Sequence, residues 1–249
     1  MEKIMSNATT HRQTAEQINY TALINSFCRE FSNWSQYQGI PKYDEALADW
    51  FQHTGHTLHV RIDFTAIGSE VYIPLQYYSE TGIHSFYFPV AEKGLATNTI
   101  SEISPFRFLE LVTQYAQATY PDAEATRTAH LMQNSIDNLG IFLDRFEATQ
   151  PAINKAQQSF IEAEQSLLLG HSMHPLTKTR EGFTTDDLLQ YSPETQARFP
   201  LHYFLIHPEQ VIEKSTELVG PCELLKQELL AGASAESIKS ILREYYDYK

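Results

Sequence analysis

Cysteine is scarce. The chain has two, Cys28 and Cys222, far apart in sequence. Two such thiols give no disulfide framework. They read most simply as reduced, buried side chains of a cytosolic protein, with a bond between them left open. No apolar run is long enough to span a bilayer, and the N-terminus, MEKIMSNATTHRQT, lacks the apolar core of a signal peptide. Both absences favour the cytoplasm and a role without a membrane. Basic side chains are also few: 18 Lys and Arg stand against 31 Asp and Glu, a net charge of −13 with a pI near 5.2. Neutralising a nucleic-acid backbone needs a basic face, so this balance argues against a nucleic-acid reader. A small anion held by a local basic pocket stays compatible with it. There is no internal repeat, low-complexity tract or obvious flexible linker. What is present is a hydrophobic fraction of 42%, enough for a packed core. A length of 249 residues suits one or two domains at about 150 residues each.

Residues before Thr14 are polar and expected to be mobile. Thr14 with Gln17 suits a capping box, and Leu23, Phe27 and Phe31 recur at helical spacing, which predicts a helix to about Trp34. A second helix is predicted over Asp44 to Phe51, ending near Gly55. The period then changes to two. Leu58, Val60, Ile62 and Phe64 alternate with polar residues; Val71, Ile73, Leu75 and Tyr77 follow, with Pro74 suggesting an edge strand; Phe86, Phe88 and Val90 form a third set. Three short strands joined by turns imply an antiparallel meander with one buried face. His56, His59 and His84 read as polar-face or strand-end residues. Ser104-Pro105 opens a helix to about Thr119. Another runs through Leu131, Ile136, Leu139, Phe142 and Phe146, and a third from Ala152 to Leu169, with Phe160, Leu167 and Leu168 facing the core. Thr184 or Thr185 caps a short helix with Asp186 and Asp187 in its first turn. Pro200 to Ile206 suits a strand, and Cys222 to Leu230 and Ser234 to Tyr246 look helical.

The segment Glu164 to Phe183, EQSLLLGHSMHPLTKTREGF, concentrates His171, His174, Lys178 and Arg180 in a loop broken at Gly170, turned at Pro175 and released at Gly182. No carboxylate lies between Gly170 and Arg180 in an otherwise acidic chain. Such a loop suggests an anion site. Lys178 offers a point charge and Arg180 a planar fork of donors, both suited to phosphate or carboxylate. Against this, Lys178 and Arg180 could be ordinary surface charges, with the histidines capping the helix that ends at Leu169. A zinc site is disfavoured: His171 and His174 would need a helical turn that Pro175 opposes, and no Cys or carboxylate at ligand spacing completes a set.

The run Gly170-His171-Ser172-Met173-His174-Pro175-Leu176-Thr177-Lys178-Thr179-Arg180-Glu181-Gly182-Phe183 resembles the GHPxHPxxKxRxGF signature of siderophore synthetases that work without nonribosomal peptide synthetases, the aerobactin-type or IucA/IucC family. Glu164, the Leu167-Leu168-Leu169 run, Tyr191-Ser192-Pro193-Glu194 and Phe199-Pro200-Leu201-His202 fit as well. Ser172 departs from the usual proline but leaves every polar group in place. The resemblance covers the whole chain loosely and Glu164 to Leu201 closely.

The resemblance implies an α+β fold: a mainly helical N-terminal domain with a small antiparallel meander over 1–169, the thumb of this family, then the beginning of a β-containing ATP-binding domain, the fingers, over 170–249. It implies an ATP-dependent ligase that joins citrate or a related polycarboxylic acid to an amine or amino-alcohol through an acyl adenylate. ATP phosphates would contact His171, Ser172, His174, Lys178 and Arg180. Members are considerably longer, with a His-Pro-Trp-Gln motif and metal-binding carboxylates further on. This chain is therefore expected to match an N-terminal portion, to be inactive alone, and to leave Mg2+ ligands to residues outside it. A homodimer is open. The rival readings are a metal-dependent hydrolase built on the histidines and a non-catalytic binding or assembly module.

Overall fold

The computed structural model describes residues 2–40, 44–149, 159–200 and 208–210, and single positions at 212, 214, 216, 220, 227 and 231. The chain divides into two compact units, Met1–Arg198 and Phe199–Lys249. Apart from Phe199 and Pro200, the predicted elements after Arg198 lie largely outside the described residues, as do residues 150–158 and Cys222.

The first unit opens with one long helix, α1 (Glu2–Glu30). The predicted start at Thr14 is not a start. Thr14 Oγ1 instead donates to Thr10 O one turn back, as a threonine does in mid-helix. The helix also stops earlier than predicted. Trp34 Nε1 reaches back to Cys28 O at 2.8 Å and Phe31 O at 3.1 Å, which satisfies carbonyls of the last turn as β1 (Trp34–Gln38) begins. Helix α2 (Glu45–Thr54) is capped by Asp44, whose side chain accepts from Leu47 N, and ends at Gly55.

Four more strands and a two-residue bridge complete an antiparallel sheet: β2 (Leu58–Phe64), β3 (Ser69–Tyr77), β4 (Ser85–Phe86), β5 (Val90–Gly94) and β6 (Thr99–Ile103). The order is β1-β2-β3-β5-β6, with β4 also pairing with β3. The third alternating set is thus two strands, broken at the cis Phe88–Pro89 bond. The edge strands β1 and β6 carry no apolar alternation because most of their residues face solvent.

Pro74 does not mark an edge. It lies opposite His59 in central β3. Its carbonyl accepts from Tyr87 N at 2.8 Å on the β4–β5 side, the side to which its missing N–H would point. There β3 passes from pairing β5 at Tyr72 to pairing β4 at Leu75, so no ladder bond is lost.

Helices α3 (Pro105–Gln117), capped by Ser104, and α4 (Ala125–Thr149) join α1 over one face of the sheet. Ile24, Phe27, Val60, Ile62, Val71, Ile73, Leu75, Phe108, Met132 and Ile136 form that core. Cys28 lies within it, and burial pushes its thiol up to about 12, which keeps it unreactive. The opposite face is covered too, contrary to the single buried face expected. Leu47 and Phe51 of α2 pack on Tyr72, and this is why β3 is buried from Ser69 through Leu75. His59 is buried beside Phe51 and Tyr72 rather than on a polar face.

Two charged pairs fasten the sheet to its helices. Arg107 of α3 grips Glu92 of β5 through Nε and Nη2, both at 2.8 Å. Lys93 pairs with Asp44 at the start of α2. Asn25 of α1 exchanges two hydrogen bonds with the backbone of His84, just before β4.

Candidate functional site

Helix α5 (Phe160–Gln165) begins with a capping box between Ser159 and Glu162. It ends four residues short of the predicted Leu169. The chain leaves the helical path so that Leu168 can enter a cluster with Phe142 and Leu188, while Phe160 and Leu167 stay exposed. Gly170 then adopts φ +73°, and its α-carbon lies so close to Thr177 that an added Cβ would stand 2.5 Å from Thr177 Oγ1. Only glycine fits both conditions.

The loop that follows is seated on α4 by one helical face. Asn138 Nδ2 donates to Lys178 O at 2.8 Å, and Ser135 Oγ accepts from Lys178 N at 3.2 Å. Asn134 Oδ1 accepts from Arg180 N at 2.8 Å, and Thr179 Oγ1 donates to Leu131 O at 3.0 Å. Leu131, Asn134, Ser135 and Asn138 fall at the i, i+3, i+4, i+7 spacing of one helix stripe. Ser135 also donates to Asn19 Oδ1 of α1 at 2.9 Å, so both long helices hold the loop.

Within the loop, Met173 N donates to His171 Nδ1 and Leu176 N to His174 Nδ1, each at 3.1 Å. A ring whose Nδ1 accepts carries its proton on Nε2. Each histidine therefore presents an Nε2–H donor, and neither caps α5. His171, Ser172 and His174 are exposed and line a groove of about 380 Å³. Its other walls include Thr14, Gln17, Asn19 and Thr21 of α1, and Gln76, Ser85, Phe86 and Phe88 from the sheet side.

Lys178 and Arg180 are placed differently. Helix α6 (Thr185–Tyr191), started by a Thr184–Asp187 capping box, leads into a 3₁₀ turn, Pro193–Thr195, that carries Glu194 inward. Lys178 Nζ lies 2.8 Å from Glu194 Oε1 and 2.7 Å from Leu167 O. Arg180 Nη2 lies 3.3 Å from the same Glu194 oxygen, and Nη1 donates to Thr179 O at 3.0 Å. The chain thus brings three of the sequence-derived site residues onto one groove and gathers the other two around a carboxylate. Asp186 and Asp187 serve the helix start as expected, Asp187 through the capping box. Among the described residues, no group of three or more His, Cys, Asp or Glu side chains is placed to hold a metal ion.

Sequence reading missed Glu194 as the carboxylate partner and Asn134, Ser135 and Asn138 as the seat. A signal was available: three polar residues interrupt the stripe of α4 that also carries Leu131 and Phe142.

Residues 159–247 match the IucA / IucC family. The chain is 28% identical over 224 residues to a spermidine-citrate ligase of Bacillus anthracis, covering 88% of this chain and 36% of that protein. It is 30% identical over 146 residues to an L-2,3-diaminopropanoate–citrate ligase of Staphylococcus aureus, covering 57% of this chain and 24% of the relative. Its fold is similar to that of ATP-bound aerobactin synthetase IucA from a hypervirulent pathotype of Klebsiella pneumoniae. That match has a TM-score of 0.64 and 21% identity, over 88% of this chain and 37% of the other. The chain therefore matches between about a quarter and somewhat more than a third of the length of these proteins. The α+β architecture is shared, and the stretch that carries the signature lies within residues 159–247, which match the IucA / IucC family.

Proposed function

We propose that this chain works as the N-terminal portion of an ATP-dependent ligase of siderophore biosynthesis, joining citrate or a related polycarboxylic acid to an amine or an alcohol. In such a reaction a carboxylate oxygen attacks the α-phosphorus of ATP. The bond to pyrophosphate breaks, and the leaving group takes the electron pair. The amine or hydroxyl then attacks the acyl carbon and AMP departs. Negative charge gathers on phosphate oxygens in the first step, so fixed donors there lower the barrier.

The observation that carries this reading is the signature loop itself, seated on α4 and bearing several donors. His171 and His174 supply Nε2–H groups and Ser172 a hydroxyl on the groove, Arg180 offers a partly exposed guanidinium, and Lys178 adds a buried positive charge in the same loop. Two of the similar proteins are named as citrate ligases, which supports the acid and the amine. The division at residue 170 into a thumb and the start of an ATP-binding domain belongs to the same reading. Mg2+ belongs to the same reading as the companion of ATP, and no step is assigned to it. A cytoplasmic location fits this chemistry, and among the described residues no helix is long and apolar enough to cross a membrane.

The test is citrate-dependent pyrophosphate release, with hydroxylamine as a surrogate nucleophile, in a full-length protein containing these residues. Arg180→Ala should slow release by roughly a hundredfold or more while leaving the fold intact. Release at the unaltered rate would refute the assignment. The 249-residue chain alone should melt cooperatively and release none.

A further inference from the structure

We propose that Glu194 is a positioning residue of this phosphate site: it holds the Lys178 ammonium inside the protein and tethers Arg180 loosely, so that Arg180 is the cation handed to phosphate. The inference rests on the reading of the loop as a phosphate site and assigns its two cations different tasks.

Burial separates the two cations. The side chains of Lys178 and Glu194 are 8% and 4% exposed, whereas that of Arg180 is 32% exposed. An ammonium has three donors. Two of those on Lys178 are spent on Glu194 Oε1 and Leu167 O, and the ring of Phe142 lies 5.9 Å from Nζ. Turning Lys178 toward a ligand would leave Glu194 buried without its main partner, an unfavourable exchange.

Arg180 is held less firmly by Glu194, and its Nη1 donates to two carbonyls of its own loop, Thr179 O at 3.0 Å and Thr177 O at 3.5 Å. Its contact with Glu194 is long, 3.3 Å, and uses the oxygen already taken by Lys178. Glu194 Oε2 is buried and has no hydrogen-bond partner. A guanidinium fully committed to this carboxylate would bind both oxygens as a fork. Arg180 does not. Two cations share one carboxylate, and Arg180 is the more exposed of the two. Arg180 can therefore turn to an incoming phosphate while the Lys178–Glu194 pair stays closed.

The test uses the 249-residue chain with inorganic pyrophosphate as the probe. Binding is followed by calorimetry and by the ring resonances of His171 and His174, with a melting curve for every variant. Arg180→Gln should weaken binding at least about tenfold, the scale of a hydrogen bond to a charged group. Lys178→Met should do the same, because an unneutralised Glu194 would then claim Arg180. Adding the second change, Lys178→Met/Glu194→Gln, should recover most of that affinity although the ammonium is still missing. A purely structural role would not make affinity return when a carboxylate is removed. If the double variant binds as weakly as folded Lys178→Met, Lys178 is itself the phosphate ligand and the inference is wrong. Unaltered binding by Arg180→Gln overturns it equally, while leaving the loop as a phosphate site. If pyrophosphate moves neither histidine in the unaltered chain, the phosphate reading falls, and this inference with it. Should Lys178→Met alone fail to fold, the double variant is compared with the unaltered chain, and a tenfold loss of affinity decides against the inference.

Discussion

Replacing Gly170 by alanine separates two demands that the loop makes at one position. The first is conformational: φ is +73°, where an L side chain costs about 1–2 kcal/mol. The second is steric. The new methyl would stand 2.5 Å from Oγ1 and 2.7 Å from Cβ of Thr177, and Cβ cannot swing aside. Forcing extra volume into a packed site costs about 1–3 kcal/mol. Together the loss should be roughly 2–5 kcal/mol by these two principles. Gly182 provides the internal control. Its φ is +82°, but nothing lies within 4 Å of an added Cβ, so Gly182→Ala should carry the conformational cost alone. Urea denaturation of both variants gives the comparison. Thr177→Gly in the Gly170→Ala background should return about 1–3 kcal/mol relative to additivity, the steric share. Equal losses at Gly170 and Gly182, or strict additivity of the pair, would refute the close approach.

Ser135→Ala should cost about 2–4 kcal/mol in the same assay, because the buried Lys178 N–H and Asn19 Oδ1 each lose a partner; a loss below about 0.5 kcal/mol, the range of neutral surface changes, would show that the seat is not needed. Acid should destabilise the fold in two stages. Burial pushes His59 and His84 below their ordinary 6.5, so the unfolded chain protonates first and stability falls as pH drops through that value. The hydrogen bond from Lys93 holds Asp44 below 3.8, and that from Arg107 holds Glu92 below 4.5. Their contribution is present above those values and is lost as pH falls through the lower folded ones. Melting curves from pH 7 to 3 read both stages; a midpoint that does not move between pH 7 and 5 would contradict the first. Arg107→Ala should shrink the second stage by releasing Glu92, and an unchanged acid limb would argue against that pair.

Periodicity located the interior well where one side of an element was apolar. Leu58 to Phe64 is a strand with the predicted ends, and the Ser104 cap and the Thr184 cap stand where local chemistry puts them. It failed where burial was two-sided or nearly absent. Tyr72 is buried by α2, which no pattern within β3 reveals, and the exposed β1 and β6 offer no pattern at all. The signature loop was legible because its residues are local in sequence. The partners of its cations and backbone were not, since Glu194 and Ser135 reach it through tertiary folding. A proline rule misread Pro74 for the same reason: the change of neighbour along β3 depends on where two other strands end.

The seat on α4 takes hold of the loop mainly by its main chain. Asn138, Ser135 and Asn134 bind Lys178 O, Lys178 N and Arg180 N, groups that every residue except proline possesses. Where the loop runs is thus written in one helix, and what it displays is written in another part of the gene. The two can drift apart in evolution. Exchanges at His171, Ser172, His174 or Arg180 would change what the loop presents on an unchanged mount, whereas exchanges at Asn134, Ser135 or Asn138 would unseat the loop whatever it presents.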